Sequence, residues 1–212
     1  MSVITALPDT ERSALAGRNS IREFVTSKNP GFIPEITWEP MSRTEFLALP
    51  DSEYRLEWAD GWAILMPPEL TSNIGALMEL VLIFKQSFPD FGVYHEAGLL
   101  ISPSGNLRQP DLSIYPYRVS DQYWVVDKPL IAIEALSKST RRQDLVTKRI
   151  EYGQMGISQY WLVDVPQKRI TILHNIGGEY RVAYVLDSEH KVLDVEIGTH
   201  GSLKLDISKI MP

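Results

Sequence analysis

The stretch "LIAIEALSKST" (residues 130–140) sets one glutamate, Glu134, inside an otherwise apolar run. An ionised carboxylate in a buried strand is costly to desolvate, and it is kept where it is paired, hydrogen-bonded or bound to a cation. Any fold of this chain must therefore bring Glu134 a partner that its own strand lacks. A second acid, Asp111, opens the upstream strand-like segment 111–117, directly after Pro110.

The surrounding segments supply the fold class. Residues 1–40 include the proline-broken "NPGFIPEITWEP" and read as an N-terminal arm, partly irregular, with the folded domain spanning 41–212. Ser42, with Glu45 three residues on, predicts a capping box at the start of a short helix stopped by Pro50. "YRLEWADGWAILM" (54–66) predicts two strands around Ala59-Asp60-Gly61. Between 71 and 88, Ile74, Leu77, Met78, Val81, Leu82 and Phe84 recur at helical spacing and predict a core-facing helix. Strands are expected at 92–102, 111–117, 130–136 and 159–165, and a helix at 139–155 stopped by Gly156. "NIGG" (175–178) marks a hairpin between two further strands, and two weaker strands follow. The order describes an α/β (α+β) fold: a mixed sheet flanked by helices, with an antiparallel C-terminal extension.

Composition narrows the chemistry. At 212 residues and 44% hydrophobic content the chain can bury one good core. It has no cysteine, which excludes disulfide scaffolds, thiolate metal sites and cysteine nucleophiles, and which fits a reducing, cytoplasmic setting. His95, His174, His190 and His200 show no ligand spacing for zinc. The opening residues lack a secretory pattern, and the apolar run 76–85 is short and carries Glu79, so no membrane span is expected. A net charge of −6 argues against coating nucleic acid through bulk charge. Yet residues 138–149 hold five of the twenty-one lysines and arginines, immediately beyond Glu134.

If strands 111–117 and 130–136 are antiparallel neighbours, the start of one meets the end of the other, and Asp111 comes abreast of Glu134. Two hard oxygen ligands suit Mg²⁺ or Mn²⁺. A helix folding back along its strand brings Lys148 roughly level with Glu134, with Arg149 a competing candidate nearer the centre of the apolar face. Each residue also has a plain structural reading: Asp111 as a turn opener after proline, and Lys148 as a solvated lysine paired with Asp144 one turn earlier. Glu134 is the hardest to read that way.

"LEWADGWAILMPP", "RQPDLSIYP" and "IAIEALSKSTRRQDLVTKRIEYGQMGISQYWLVD" resemble the successive motifs of the Uma-two family, a branch of the PD-(D/E)XK restriction-endonuclease-like superfamily. The resemblance runs from about Met41 to the C-terminus. It implies Asp111 and Glu134 as metal ligands, Glu57 as an additional acid, and Lys148 as the motif lysine displaced onto the helix. Leu136 occupies the strand position where the superfamily pattern has that lysine. The implied activity is Mg²⁺- or Mn²⁺-dependent endonucleolytic hydrolysis of DNA, with Arg141 and Arg142 on substrate phosphates. DNA and a second copy of the chain are the expected partners. The alternative is a nuclease fold kept as a binding or interaction module without catalysis. The first reading needs Asp111, Glu134 and Lys148 converging on a water-accessible pocket; the second does not. Limited proteolysis of the full chain tests the domain reading: the N-terminal arm should be trimmed first, and early cutting within 130–165 would contradict it.

Overall fold

The structure, a computed structural model, describes residues 20–26, 36–52 and 54–211, so most of the expected arm lies outside the described residues. The chain divides into two compact units, Met1–Pro68 and Glu69–Pro212.

In the first unit a short helix α1 (Ile21–Thr26) precedes strand β1 (Thr37–Pro40) and helix α2 (Arg43–Leu47). Both halves of the capping box at α2 are made: Ser42 Oγ accepts from Glu45 N, and the Glu45 carboxylate accepts from Ser42 N. The Ser42 hydroxyl, which donates to the Glu45 carboxylate at 2.7 Å, and then the Ser42 backbone N–H hold that carboxyl below its usual range. Strands β2 (Leu56–Ala59) and β3 (Trp62–Leu65) form a hairpin in which Ala59 faces Trp62. Its two turn residues, Asp60 and Gly61, both have positive φ, 51° and 87°, as a tight hairpin turn requires. β1 pairs antiparallel with β3, so residues 37–40, which the sequence assigned to the arm, are part of this small sheet.

The second unit opens with helix α3 (Thr71–Ser87). Strands β4 (Gly92–His95), β5 (Gly98–Leu100), β6 (Leu107–Arg108), β7 (Leu112–Tyr115), β8 (Trp124–Val125) and β9 (Ile131–Ala135) follow. A π-helical segment, Gln143–Lys148, runs into helix α4 (Arg149–Met155), which ends at Gly156 in the left-handed conformation, φ 81°. Strands β10 (Gln159–Asp164), β11 (Arg169–Ile176), β12 (Glu179–Leu186), β13 (Val192–Glu196) and β14 (Ser202–Asp206) and helix α5 (Ile207–Ile210) complete it. The main sheet has the order β12-β11-β10-β9-β7-β4. Only β9 and β10 are parallel; the other pairs are antiparallel.

The sheet is covered on both faces, which is why its central strands read as unbroken apolar runs. Side chains alternate along a strand. Ile131, Ile133 and Ala135 of β9 and Trp161 and Val163 of β10 join Leu77, Leu80 and Phe84 of α3 in the larger core. Ala132, Leu136, Tyr160 and Leu162 face the other way, toward Tyr152 of α4. Glu134 alternates with the first set, so it lies on the α4 face.

Three expectations need correcting. The expected strand 92–102 is two strands, because Glu96 has φ 50° and turns the chain, so that β4 pairs with β7 while β5 pairs with β6. The expected helix 139–155 is α-helical only in part, its middle being the π segment. On α3 the buried residues are Asn73, Ala76, Leu77, Leu80 and Phe84; Ile74, Met78 and Leu82 face outward. Apolar residues nearly encircle this helix, so their periodicity alone could not choose the inward face.

One close approach locks α4 to the β11–β12 hairpin. A Cβ on Gly153 would stand 2.5 Å from the carbonyl oxygen of Gly178. Asn175 Nδ2 donates to Gly153 O and Ile157 O, and Tyr180 Oη donates to Ile157 O. Gly153→Ala should therefore lower stability by about 1–3 kcal/mol, the usual cost of overpacking, read as a fall in urea midpoint with unchanged m-value; an unchanged midpoint would contradict the contact.

Candidate active site

The antiparallel pairing of β7 with β9 sets Leu112 opposite Ile133. Continued by one residue, that register sets Asp111 opposite Glu134, two side chains on one face of neighbouring strands. Asp111 Oδ2 also accepts a 2.6 Å hydrogen bond from Ala135 N, across the same strand pair. Glu134 is met from the helical side: Lys148 Nζ and Tyr152 Oη both donate to its Oε1, at 3.0 and 2.9 Å. Lys148 Nζ is also 3.5 Å from Asp144 Oδ1. Relative exposure is 2% for Asp111, 1% for Glu134 and Asp144, and 0% for Lys148. The three predicted groups thus come together with a third carboxylate, but they are buried and face one another, so the expected convergence is met while the expected opening to water is not.

The crossover between β9 and β10 explains how the lysine arrives. A parallel neighbour must be reached by a connection that travels back along the sheet, and the returning helix passes over Glu134. The π segment then decides which side chains face inward. Four residues overshoot one α turn of about 3.6 residues, whereas in a π turn, with its i→i+5 bonding, four residues fall short of a full turn. The advance from Asp144 to Lys148 is thus offset by that from Lys148 to Tyr152, so that Lys148 and Tyr152 reach Glu134 while Asp144 reaches Lys148. Arg149, the competing candidate, lies off this line and donates to Tyr180 O at 2.7 Å.

Tyr160 of β10 packs edge-on against Tyr152, with ring centroids 5.4 Å apart, and donates to Asp144 O at 2.9 Å. Burial pushes its phenol far up, followed by the negative charges of Glu134, Asp144 and Asp111. It therefore remains a protonated donor beside the cluster. Arg108 is buried too, with Nε and Nη2 on the two oxygens of Glu151 at 2.7 and 2.8 Å; Asn106 Nδ2 donates to Glu151 Oε1 as well. This fork ties β6, just upstream of Asp111, to α4, just beyond Lys148. The sequence reading missed it, because no local pattern joins residues 43 positions apart.

The remaining predicted residues make other contacts. Arg141 Nη2 is 2.8 Å from Asp164 Oδ2 and its side chain is 43% exposed, while Arg142 is exposed. Glu57 belongs to the first unit: it is buried on β2, with Arg55 Nη2 at 3.8 Å.

The buried cluster holds three carboxyl groups, Asp111, Glu134 and Asp144, and the ammonium of Lys148. Hard carboxylate oxygens fit a divalent cation such as Mg²⁺, which asks for few protein ligands. Among the described residues no three or more His, Cys, Asp or Glu side chains form a ready metal cage.

Taken together, a mixed sheet with an acidic strand pair, a lysine delivered by the following helix and helices on both faces defines a nuclease-like α/β fold. Residues 43–208 match the Uma2 family model, described as "Putative restriction endonuclease", and the chain belongs to that family. A crystal structure described as "a putative nuclease belonging to DUF820 from Anabaena variabilis ATCC 29413" superposes with a TM-score of 0.66 at 18% identity, covering 81% of this chain and 97% of the other. No curated protein matched the chain. Among the described residues, no helix is long and apolar enough to cross a membrane.

Removing one member of a buried ion pair leaves an uncompensated charge, at a cost of about 3–5 kcal/mol. Lys148→Met should destabilise the chain by that order in urea unfolding, and adding Glu134→Gln should restore part of the loss. A Lys148→Met variant as stable as wild type would show that the contact carries no weight.

Proposed function

We propose that the chain is a metal-dependent endonuclease that hydrolyses DNA phosphodiesters, with Asp111 and Glu134 as the ligands of a Mg²⁺ or Mn²⁺ ion. The observation that carries this reading is the meeting of the two acids from β7 and β9 with Lys148 from the returning helix. When bound, the cation would clamp the phosphate and acidify a water molecule. Lys148 is the group that orients the attacking water or stabilises charge on the phosphate. Tyr152, sharing Glu134 Oε1 with Lys148, keeps that carboxylate in one orientation. Arg142 and Arg141 contact backbone phosphates; the guanidinium fork of Arg141 has enough donors to keep Asp164 while doing so. Glu57 is carried as the additional acid on the resemblance alone.

Family membership supports the nuclease class, and the acidic pair supports metal use. Mn²⁺ calorimetry paired with cleavage of supercoiled, linear and single-stranded DNA tests the proposal. Asp111→Ala and Glu134→Ala should lose metal binding and lower turnover at least about 100-fold, whereas Lys148→Ala should keep metal binding and lose turnover by a similar factor. Glu57→Gln should weaken Mn²⁺ binding if Glu57 is a ligand. Wild-type protein that binds no Mn²⁺ and cuts no DNA form, with a stable Glu134→Ala variant that still binds its partner, would leave the interaction-module reading in its place.

A further inference from the structure

Lys148 stands between two carboxylates where one would serve to pair it. Its Nζ is 3.0 Å from Glu134 Oε1 and 3.5 Å from Asp144 Oδ1, and all three side chains are buried. The ammonium already shares Glu134 Oε1 with the Tyr152 hydroxyl. A second buried acid adds a desolvation cost that the longer contact offsets only in part. The fold nonetheless fixes Asp144 on both sides of its backbone: its N–H donates to Thr140 O at 3.1 Å, and its carbonyl accepts from Tyr160 Oη of β10 at 2.9 Å. The π segment, which begins one residue earlier at Gln143, brings it to Lys148.

We propose that Asp144 is a positioning residue of the site: the counter-ion toward which the Lys148 ammonium shifts when a cation is held by Asp111 and Glu134. The inference rests on the metal reading proposed above. Under that reading Lys148 shares Glu134 with the cation, so two positive groups stand on one carboxylate, and their repulsion is screened little where water is scarce. A second carboxylate beside the ammonium relieves that repulsion in two ways. It offsets part of the positive charge, and it gives Nζ an acceptor that keeps it in the site when Glu134 Oε1 is taken.

Two observations favour this role over that of a further ligand. Among the described residues no three His, Cys, Asp or Glu side chains are grouped so that they could hold a metal ion, so Asp144 does not complete a cage with Asp111 and Glu134. Its carboxylate instead reaches the cluster through the ammonium. The nearby Glu151 cannot take its place, because its two oxygens receive Arg108 and Asn106. With an amide at position 144 the ammonium would stay on Glu134 Oε1 and compete there with the cation.

Mn²⁺ calorimetry and metal-free urea unfolding of the full chain test this with wild type, Asp144→Asn, Lys148→Met and the double variant; Lys148→Gln replaces Lys148→Met if the latter does not fold. Asp144→Asn should weaken Mn²⁺ binding about 10-fold or more, the range for residues that act through a ligand's neighbours. The double variant should bind Mn²⁺ within about twofold of Lys148→Met alone, because the competing ammonium is gone. Without metal, Asp144→Asn should unfold closer to wild type than to Lys148→Met, since Glu134 still holds the ammonium. At saturating Mn²⁺ it should lower kcat for DNA cleavage and leave KM unchanged. Wild type that binds no Mn²⁺ overturns the metal reading and this inference with it. Where wild type does bind, an unchanged affinity in Asp144→Asn overturns the inference alone. So does a loss of affinity that persists in the double variant, which would make Asp144 a ligand. Metal-free unfolding of Asp144→Asn as early as that of Lys148→Met also overturns it, by making the acid a structural partner only.

Discussion

Burying Glu134 is the constraint around which the second unit is organised. A carboxylate on the covered face of a central strand must be compensated, and here the compensation comes from residues distant in sequence. Lys148 and Tyr152 reach it from the returning helix, and Tyr160 closes the adjacent wall. The parallel pairing of β9 with β10 is what makes this possible. It forces the chain to cross back over the sheet, and the crossing is where the lysine sits.

Much of this was legible in advance, for identifiable reasons. The abrupt acid in "IAIEAL" marked the site because polarity inside an apolar run has few inexpensive explanations. The pairing of Asp111 with Glu134 followed from the antiparallel alignment of neighbouring strands. Glycines at Gly61, Gly156 and Gly178 marked turns and a helix stop where the backbone does take positive φ. Each of these signals is local, or depends on a single assumed strand pairing.

What escaped the sequence depends on geometry that no local pattern encodes. A helical wheel assumes a constant advance per residue, so it put Lys148 at the edge of the apolar face and Arg149 nearer its centre. The π segment breaks that assumption and turns Lys148 inward. Asp144 looked like the surface partner of an exposed lysine; it is the buried third acid of the cluster. The inward face of α3 was misread because a helix apolar on both sides has no unique period. Glu96 shows the same limit in a strand, where one residue in the left-handed region ends a run that looked continuous.

An internal lysine–carboxylate pair is weak evidence for stability, because desolvation of both charges offsets much of their attraction. Apolar side chains in place of Lys148 and Glu134 together would remove both desolvation costs, whereas changing Lys148 alone leaves a buried acid uncompensated. The cluster also goes beyond simple pairing, since it sets three acids against one base. A purely structural role would favour matching the charges within the group. A cation bound there as proposed would gain from double charge, since Coulomb energy scales with ionic charge and is screened least where water is scarce. Stability alone therefore does not account for the arrangement, and the cation proposed for Asp111 and Glu134 would.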